Sequence, residues 1–278
     1  MKKAFTKYAS LLFIVFMTFL SFWYVGNEEA VMGNTAKVPI LMYHSVSDIK
    51  EGMYTVPEAK LEGDLKYLKE NGYEAVTCKE LVSILKEGRK MPSKPVIITF
   101  DDGYYNNLAL ALPLLEKYNM SAVISVVGEF TKQYDECDDK TVSYACLDSE
   151  DIKALIASHR IEIANHSYNM HHEGARKGTM QIKGENDEKY KKAFCDDAQR
   201  CHDYILKNCN YNMTTYTYPY GQITKSTKEY LKDMGYETFL SCDERINILE
   251  DSSIPLSLGR FNRDGRLSTE EFMRKSGI

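Results

Sequence analysis

The sequence lacks several features that would assign it to common classes of protein. It has no Cys-x-x-Cys pair, so a structural zinc knuckle is not expected. It has no basic stripe, because its 35 Lys and Arg and its 40 Asp and Glu residues are mixed along the chain, and we therefore expect no nucleic-acid partner. It has no internal repeats either. What remains, 44% hydrophobic and 27% charged residues in a chain of 278, is typical of a folded globular protein.

The N-terminal segment differs in composition from the rest of the chain. Three lysines within its first seven residues precede an uncharged apolar stretch, residues 8–25. Eighteen such residues are long for a signal peptide and just long enough to span a bilayer. We predict export, with residues 1–25 as a membrane anchor in preference to a cleaved signal peptide, residues 26–37 as a linker and residues 38–278 as the exported domain. The protein would then be extracytoplasmic, either anchored to the membrane or secreted.

The seven cysteines bear on this prediction, because an oxidising exterior permits disulfides. Cys137 and Cys146 could close a short loop. The odd number of cysteines leaves at least one thiol unpaired, and the sequence does not determine the connectivity.

From residue 38 onward, strand-like and helix-like segments alternate. Residues 95–100, PVIITF, form a continuous apolar run that is typical of a strand buried on both faces. The repeated alternation predicts an α/β fold in which parallel strands, in an open sheet or a barrel, are covered by helices. The predicted strands are 38–43, 95–100, 121–127, 161–164, 214–218 and 237–241, and the predicted helices are 57–70, 79–86, 107–118, 149–158, 188–208 and 226–234.

Polar residues with catalytic potential follow four of these predicted strands. In α/β folds, functional residues collect at the C-terminal ends of strands. Taken singly, each group has an ordinary interpretation: Asp101 and Asp102 suit a turn, and a histidine in a loop is often an idle surface residue. Taken together they predict a metal site, because two imidazoles and one carboxylate form the usual ligand set of a hydrolytic Zn²⁺. The residues are His44, Asp101, Asp102, His166, His171, His172 and the turn 218–221.

Three short motifs resemble those of a known family. TFDDG (residues 99–103), NHSYNMH (165–171) and YPYG (218–221) are similar to motifs of the polysaccharide deacetylases, the NodB-homology group of carbohydrate esterase family four. The resemblance extends over residues 38–278 and implies a distorted (β/α)7 barrel. The motif pattern is most similar to that of the branch that acts on poly-N-acetylglucosamine exopolysaccharide.

The resemblance also implies a metal site. Many members carry a His-Ser/Thr-x-x-His motif, whereas here Met170 stands at the second histidine position and His171 follows it. The exopolysaccharide branch has this longer spacing, so the implied ligands are Asp102, His166 and His171, with His172 as an alternative to His171. Zn²⁺ is the expected ion, and Co²⁺ or Ni²⁺ suits the same geometry.

Four further residues receive catalytic roles from the resemblance. Asp101 is implied as the general base. Many members have a histidine motif near the C-terminus, but no histidine follows His202 here, and His44, in a Met-Tyr-His context, is implied as the general acid. The backbone N–H of Tyr220 would stabilise the oxyanion. The arginine that often precedes the YPYG turn is missing, and Arg260 is expected to brace the catalytic carboxylate instead.

The resulting hypothesis is a metal-dependent N-deacetylase acting on N-acetylglucosamine units of an extracellular or cell-wall polysaccharide. Exopolysaccharide, peptidoglycan and chitin-like polymers all offer the same acetamide, so the sequence leaves the natural polymer open. Two alternatives remain at this point. One is an O-acetyl esterase of the xylan type on the same scaffold, because amide and ester hydrolysis share a tetrahedral intermediate. The other is a catalytically inactive carbohydrate-binding relative.

Overall fold

The computed structural model describes residues 36–249 and 254–278. The predicted anchor or signal peptide, residues 1–25, and most of the predicted linker lie outside these residues. Within the described ranges, no helix combines the length and the apolar character needed to cross a membrane. The last two residues of the predicted linker, Ala36 and Lys37, belong to the first strand.

Strands and helices alternate along the described chain, as the sequence predicted. The strands are β1 (Ala36–Val38), β2 (Ile40–Tyr43), β3 (Ser45–Val46), β4 (Thr55–Val56), β5 (Glu74–Ala75), β6 (Pro95–Phe100), β7 (Ala122–Val126), β8 (Ile161–Asn165), β9 (Thr215–Thr217), β10 (Thr238–Leu240), β11 (Asn247–Leu249), β12 (Leu256–Leu258) and β13 (Phe261–Asn262). The helices are α1 (Glu58–Glu70), α2 (Cys78–Glu87), α3 (Leu112–Tyr118), α4 (Gly128–Asp135), α5 (Ser149–Ala157), α6 (Asp187–Cys209), α7 (Lys225–Asp233) and α8 (Thr269–Lys275). A π-helical turn (Asn107–Ala111) precedes α3, and a 3₁₀ turn (Pro219–Gly221) follows β9.

Nine of the described strands form one parallel sheet. Its order is β12–β10–β9–β8–β7–β6–β2–β13, with β5 alongside β6, and every pair in it is parallel. The edge strands β12 and β13 are separated in the chain only by Gly259 and Arg260. Leu258 and Phe261 therefore lie at most about 11 Å apart, so the sheet must curl until its two edges approach each other. The predicted α/β class and distorted barrel are confirmed.

Side chains along strand β6 alternate between two apolar layers. In β6, Val96, Ile98 and Phe100 pack in the layer that contains most of the helices, whereas Ile97 packs in a smaller layer. We call the side of the sheet that faces this smaller layer the inner face. Because side chains alternate along a strand, residues an even number of positions beyond an inner residue point the same way, as long as the chain stays extended. The inner face includes Ile40, Ile97, Val123, Ala164, Leu240 and Leu258.

Two helices and several short strands, among them the closing strands β12 and β13, were not predicted from the sequence. Helix α8 has seven residues and α4 has eight, which is too short for an apolar period to stand out. The beginning of α8 is nevertheless marked by a capping box, in which Ser268 and Glu271 each accept a backbone N–H of the other. Strands β12 and β13 have three and two residues, so they depend on pairing with distant strands and carry no pattern of their own.

The cysteines do not form the short-loop disulfide that the sequence permitted. All seven are free thiols. Cys146 is buried and Cys137 is exposed, so the two thiols lie in different environments. The possibility of a Cys137–Cys146 bridge is therefore not realised.

One exposed residue outside the site carries backbone strain that a substitution can release. His159, in the turn between α5 and β8, has φ 58°, and its side chain is exposed. The left-handed region costs a residue with a Cβ about 1–2 kcal/mol, whereas glycine adopts it freely. Glycine also has the larger conformational entropy in the unfolded state, which offsets part of this gain. We therefore expect His159→Gly to raise the free energy of unfolding by about 0.5–1 kcal/mol. His159→Ala retains the Cβ and is the matched control. Equal urea midpoints for the two variants would contradict this explanation.

Candidate active site

The polar residues that follow the inner-face positions meet at one end of the barrel. Asp101 lies four residues beyond Ile97, His44 lies four beyond Ile40, and His166 lies two beyond Ala164. The side-chain alternation therefore carries all three from the apolar interior to the same rim. They line one cavity of ≈ 890 Å³. Its wall also contains Asp102, His171, Tyr220, Tyr54, Met42 and Cys242.

Asp102, His166 and His171 present one ligand atom each to a common point. These atoms all lie within 4.8 Å of one another. Nε2 of His171 is 3.1 Å and Nε2 of His166 is 3.5 Å from Oδ1 of Asp102. That oxygen is buried and accepts no hydrogen bond from the described residues. A buried carboxylate oxygen facing two imidazole nitrogens fits a divalent cation. His172, the alternative ligand, is exposed and lies outside this cluster.

The orientation of His166 is set by the neighbouring strand. Its Nδ1 lies 2.8 Å from the backbone oxygen of Thr217. A carbonyl only accepts, so Nδ1 carries the proton and donates, which leaves the lone pair of Nε2 facing Asp102 in the neutral ring. The hydroxyl of Thr217 in turn pairs with that of Ser125 at 2.7 Å. Histidine ligands of metals are commonly fixed by such a bond on the other ring nitrogen.

His171 is held by the YPYG turn. Its ring stacks on that of Tyr220, with centroids 5.0 Å apart and planes at 27°. Burial alone would lower the pKa of His171, but the adjacent carboxylate of Asp102 outweighs burial and raises it. Conversely, burial alone would raise the pKa of Asp102, but the adjacent imidazoles of His166 and His171 hold it well below its usual range. Asp102 is therefore ionised and available as a ligand.

Asp101 is not part of the cluster and instead pairs with a buried arginine. Nη1 and Nη2 of Arg260 donate to its two oxygens, each at 2.8 Å. Arg260 also donates to the hydroxyl of Thr99 and to the backbone oxygen of Ser241. Burial alone would raise the pKa of Asp101, but the positive charge and hydrogen bonds of Arg260 lower it to about 2. Arg260 lies at the seam between β12 and β13, and its guanidinium contacts the carboxylate that it is predicted to brace.

His44 occupies the cavity wall next to an aromatic ring. Its ring centroid lies 4.7 Å from that of Tyr54, and its backbone oxygen accepts a hydrogen bond from Asn107. Burial lowers the pKa of His44, against the opposing effect of the Asp101 and Asp102 charges. Its buried Nδ1 has no hydrogen-bond partner among the described residues.

Sequence reasoning missed three residues that shape the site. Tyr54, 53% exposed, forms part of the cavity wall beside His44. The backbone oxygen of Thr217 orients His166. Gly178 lies against the YPYG turn. Only Thr217 had a usable signal, because the strand TTYTY ends at the motif. Tyr54 and Gly178 lie in irregular segments whose position depends on tertiary contacts.

Gly178 supports the turn that carries Tyr220. Its φ is +54°, and a Cβ there would lie 2.9 Å from the backbone oxygen of Pro219 and from the Tyr220 ring. We expect Gly178→Ala to displace the turn and lower kcat by about tenfold or more. A shift of about 1 Å in a positioned group can lower the reaction rate strongly even where it changes stability little. Gly184→Ala is the matched control, since its φ is also positive, +84°, and no atom lies within 4 Å of the added Cβ. Equal rates for the two variants would contradict a positioning role.

Comparison with known protein families identifies the region of the chain that contains most of these residues. The family model for the polysaccharide deacetylases matches residues 88–239. The chain belongs to the polysaccharide deacetylase family. The matched region of this family member contains Asp101, Asp102, His166, His171 and Tyr220, whereas His44 and Arg260 lie outside it.

Individual relatives agree with the assignment of this deacetylase family member. YxkH of Bacillus subtilis (strain 168) is 30% identical over 203 residues, which cover 73% of this chain and 63% of YxkH. The poly-β-1,6-N-acetyl-D-glucosamine N-deacetylase of Escherichia coli (strain K12) is 25% identical over 240 residues, covering 77% of this chain and 35% of that protein. The chain thus spans less than two thirds of either relative. The structure of a de-N-acetylase from Aggregatibacter actinomycetemcomitans matches with a TM-score of 0.73 at 22% identity, covering 86% of this chain and 100% of that one, and shows the same fold.

Proposed function

We propose that this chain is a metal-dependent N-deacetylase that removes acetyl groups from N-acetylglucosamine units of an extracellular or cell-wall polysaccharide. The observation that carries the proposal is the convergence of Asp102, His166 and His171 beside the Asp101–Arg260 pair. The name of the Escherichia coli relative supports the substrate class. The position of the chain outside the cytoplasm is part of the proposal and rests on the apolar segment 8–25.

The donor set fits a divalent cation, with Zn²⁺ first and Co²⁺ or Ni²⁺ as further candidates. Asp102, His166 and His171 would hold it. When bound, such an ion acts as a Lewis acid that makes water a stronger nucleophile and polarises a carbonyl oxygen. Asp102 and His166 are suited to bind this ion. Oδ1 of Asp102 has no hydrogen-bond partner among the described residues, and the tautomer of His166 is fixed.

The remaining steps belong to the side chains around the cluster. Asp101, kept ionised by Arg260, accepts the proton of the attacking water. The backbone N–H of Tyr220, in a turn with φ 56°, donates to the oxygen on which negative charge develops. His44, which lines the same cavity, gives a proton to the amine nitrogen as it leaves. The products are acetate and a glucosamine unit in the polymer.

Acetate release from defined polymers tests this proposal directly. The full-length chain would be incubated with β-1,6-linked N-acetylglucosamine oligomers, chitooligosaccharides and acetylated xylan, before and after chelation and with Zn²⁺ restored. We expect chelation to abolish release from the N-acetylglucosamine polymers and Zn²⁺ to restore it. Release from xylan alone would favour the O-acetyl esterase, and no release from any polymer would favour an inactive carbohydrate-binding relative.

The choice between the two adjacent histidines gives a sharper prediction about the metal. His171 lies 3.1 Å from Asp102, whereas the neighbouring His172 is exposed. We expect His171→Ala to lose bound Zn²⁺ on dialysis and to lose activity with it, because two protein ligands remain. His172→Ala should retain both. Metal content measured by atomic absorption decides between them, and loss of Zn²⁺ from His172→Ala would contradict the proposed ligand set.

A further inference from the structure

A pair of sulfur atoms lies in the same cavity but has no part in the proposed deacetylation. Sγ of Cys242 is 3.9 Å from Sδ of Met42. Met42 lies two residues beyond the inner-face residue Ile40, and Cys242 lies two beyond Leu240. Strand alternation therefore brings both side chains from different strands to the same rim. Both line the ≈ 890 Å³ cavity.

A third donor stands on the same strand end as Met42. His44 follows it by two residues and so presents its side chain to the same side. It lines the same cavity, and its buried Nδ1 is without a hydrogen-bond partner in the described part of the chain. A thiol, a thioether and an imidazole thus line the same cavity.

This donor set differs in kind from the carboxylate–histidine cluster. Sulfur ligands select soft ions such as Cu⁺, whereas carboxylate and imidazole suit Zn²⁺. With metal–sulfur bonds of about 2.3 Å, the length found for zinc thiolates, two sulfurs 3.9 Å apart subtend a near-trigonal angle at the ion. Little rearrangement of Cys242 and Met42 is needed for both to bind one cation.

We propose that Cys242 and Met42, with His44 as the third donor, form a site for a soft monovalent cation, Cu⁺, and that its occupation blocks the catalytic cavity. On binding, the thiol of Cys242 loses its proton to solvent and the sulfur forms a bond to the cation, so that no oxidant or reductant is consumed. Occupation removes His44 from its proposed role as proton donor and places an ion in the space that substrate would enter. The site is thus an inhibitory metal site within the cavity of the proposed deacetylase.

Most other thiols of the chain are poorly placed to compete with Cys242 for Cu⁺. Of the seven, Cys78, Cys146, Cys201 and Cys209 are buried, which leaves Cys137, Cys195 and Cys242 with solvent access. The test therefore uses a background in which Cys137 and Cys195 are both replaced by Ser. In this background Cys242 is the accessible thiol among the described residues. The background also removes lone-thiol adducts that would mask the two-sulfur site.

Competition against a Cu⁺ chelator measures the site without reference to catalysis. The full-length background protein would be titrated into the Cu⁺–bicinchoninate complex under anaerobic, reducing conditions. We expect it to withdraw Cu⁺, Cys242→Ser to lose this competition, and Met42→Leu to weaken Cu⁺ affinity at least tenfold. Met120→Leu is the matched control, because it removes an equally buried thioether elsewhere in the chain. It should compete as strongly as the background protein.

A second measurement links occupation to the cavity. Acetate release would be followed with increasing Cu⁺, each variant being compared with its own uninhibited rate. We expect inhibition in the background protein and resistance in Cys242→Ser. Equal competition by the background and Cys242→Ser would overturn the site, and equal affinities of Met42→Leu and Met120→Leu would reduce it to a lone-thiol adduct. Because chelator competition needs no turnover, a failure of the proposed deacetylase function would remain distinguishable from a failure of this site.

Discussion

Asp101→Asn is expected to lower kcat by about 10²–10⁴-fold, the range typical of a lost general base, while Zn²⁺ binding persists. Asp101 lies outside the cluster of ligand atoms and is occupied by Arg260 on both oxygens. An amide cannot accept a proton from water at neutral pH. The measurement is acetate release at saturating substrate, with metal content determined on the same preparation.

The substitution also leaves the buried Arg260 without its counter-charge, so a loss of activity could reflect a disturbed fold. The double variant Asp101→Asn, Arg260→Gln separates these explanations, because it removes both charges together. We expect the double variant to regain most of the lost stability and none of the lost activity. Recovery of the rate in the double variant would show that Asp101 acts by stabilising the structure and not as the base.

The second large effect concerns stability. Arg260→Met is expected to lower the free energy of unfolding by about 3–5 kcal/mol, the range seen when one partner of a buried ion pair is removed. Arg260 is 0% exposed and Asp101 is 2% exposed, so the remaining carboxylate would be buried and unpaired. The hydrogen bonds to Thr99 and Ser241, which tie the seam to strands β6 and β10, would be lost as well. Urea unfolding measures the change.

Arg266→Met provides the matched control for this prediction. Arg266 also pairs with an aspartate, Asp264, in the same C-terminal region, but its side chain is 58% exposed. Exposed ion pairs contribute little to stability, so we expect almost no change in the urea midpoint. If the two arginine variants unfolded at similar urea concentrations, the Asp101–Arg260 pair would not be the structural brace that its burial indicates.

The residues after the strand ends share an unusual backbone conformation. Asp102, Ser167 and Tyr220 have φ values of 70°, 71° and 56°. Each follows a strand of the sheet by two or three residues, and two of them belong to the candidate site. A left-handed conformation costs a non-glycine residue about 1 kcal/mol or more, and such strain often accompanies functional sites. The sharp turns let Asp101 and Asp102 point to different partners although they are adjacent in the chain.

The different directions of the Asp101 and Asp102 side chains explain how two neighbouring carboxylates can follow an apolar strand. In an extended chain, adjacent side chains point to opposite faces. The backbone at Asp102 is not extended, so its side chain departs from this alternation. Asp101 continues the inner alternation of β6 and meets Arg260, and Asp102 turns towards the two histidines. Arg260 thereby stabilises Asp101, and the imidazoles of His166 and His171 stabilise Asp102. The two negative charges coexist because they do not share one partner.

The sequence by itself determined the features that depend on local pattern. The run 95–100 predicted strand β6 with its exact residues, and the segment 188–208 predicted helix α6 within one residue at each end. The placement of polar residues after strands predicted that Asp102 and His166 would meet, because parallel strands end at one edge of the sheet. The short motifs identified the family that the matched region confirms.

Only the tertiary structure decided the features that depend on contacts between distant segments. Arg260 reaches Asp101 across 159 positions because two-residue and three-residue strands close the sheet, and such strands carry no pattern of their own. The structure places His171, and not the adjacent His172, next to Asp102, with its ring stacked on that of Tyr220. The pairing of Cys242 with Met42 joins residues 200 positions apart. Local propensity specifies which segments are strands, but the curvature that brings their ends together results from packing of the whole sheet.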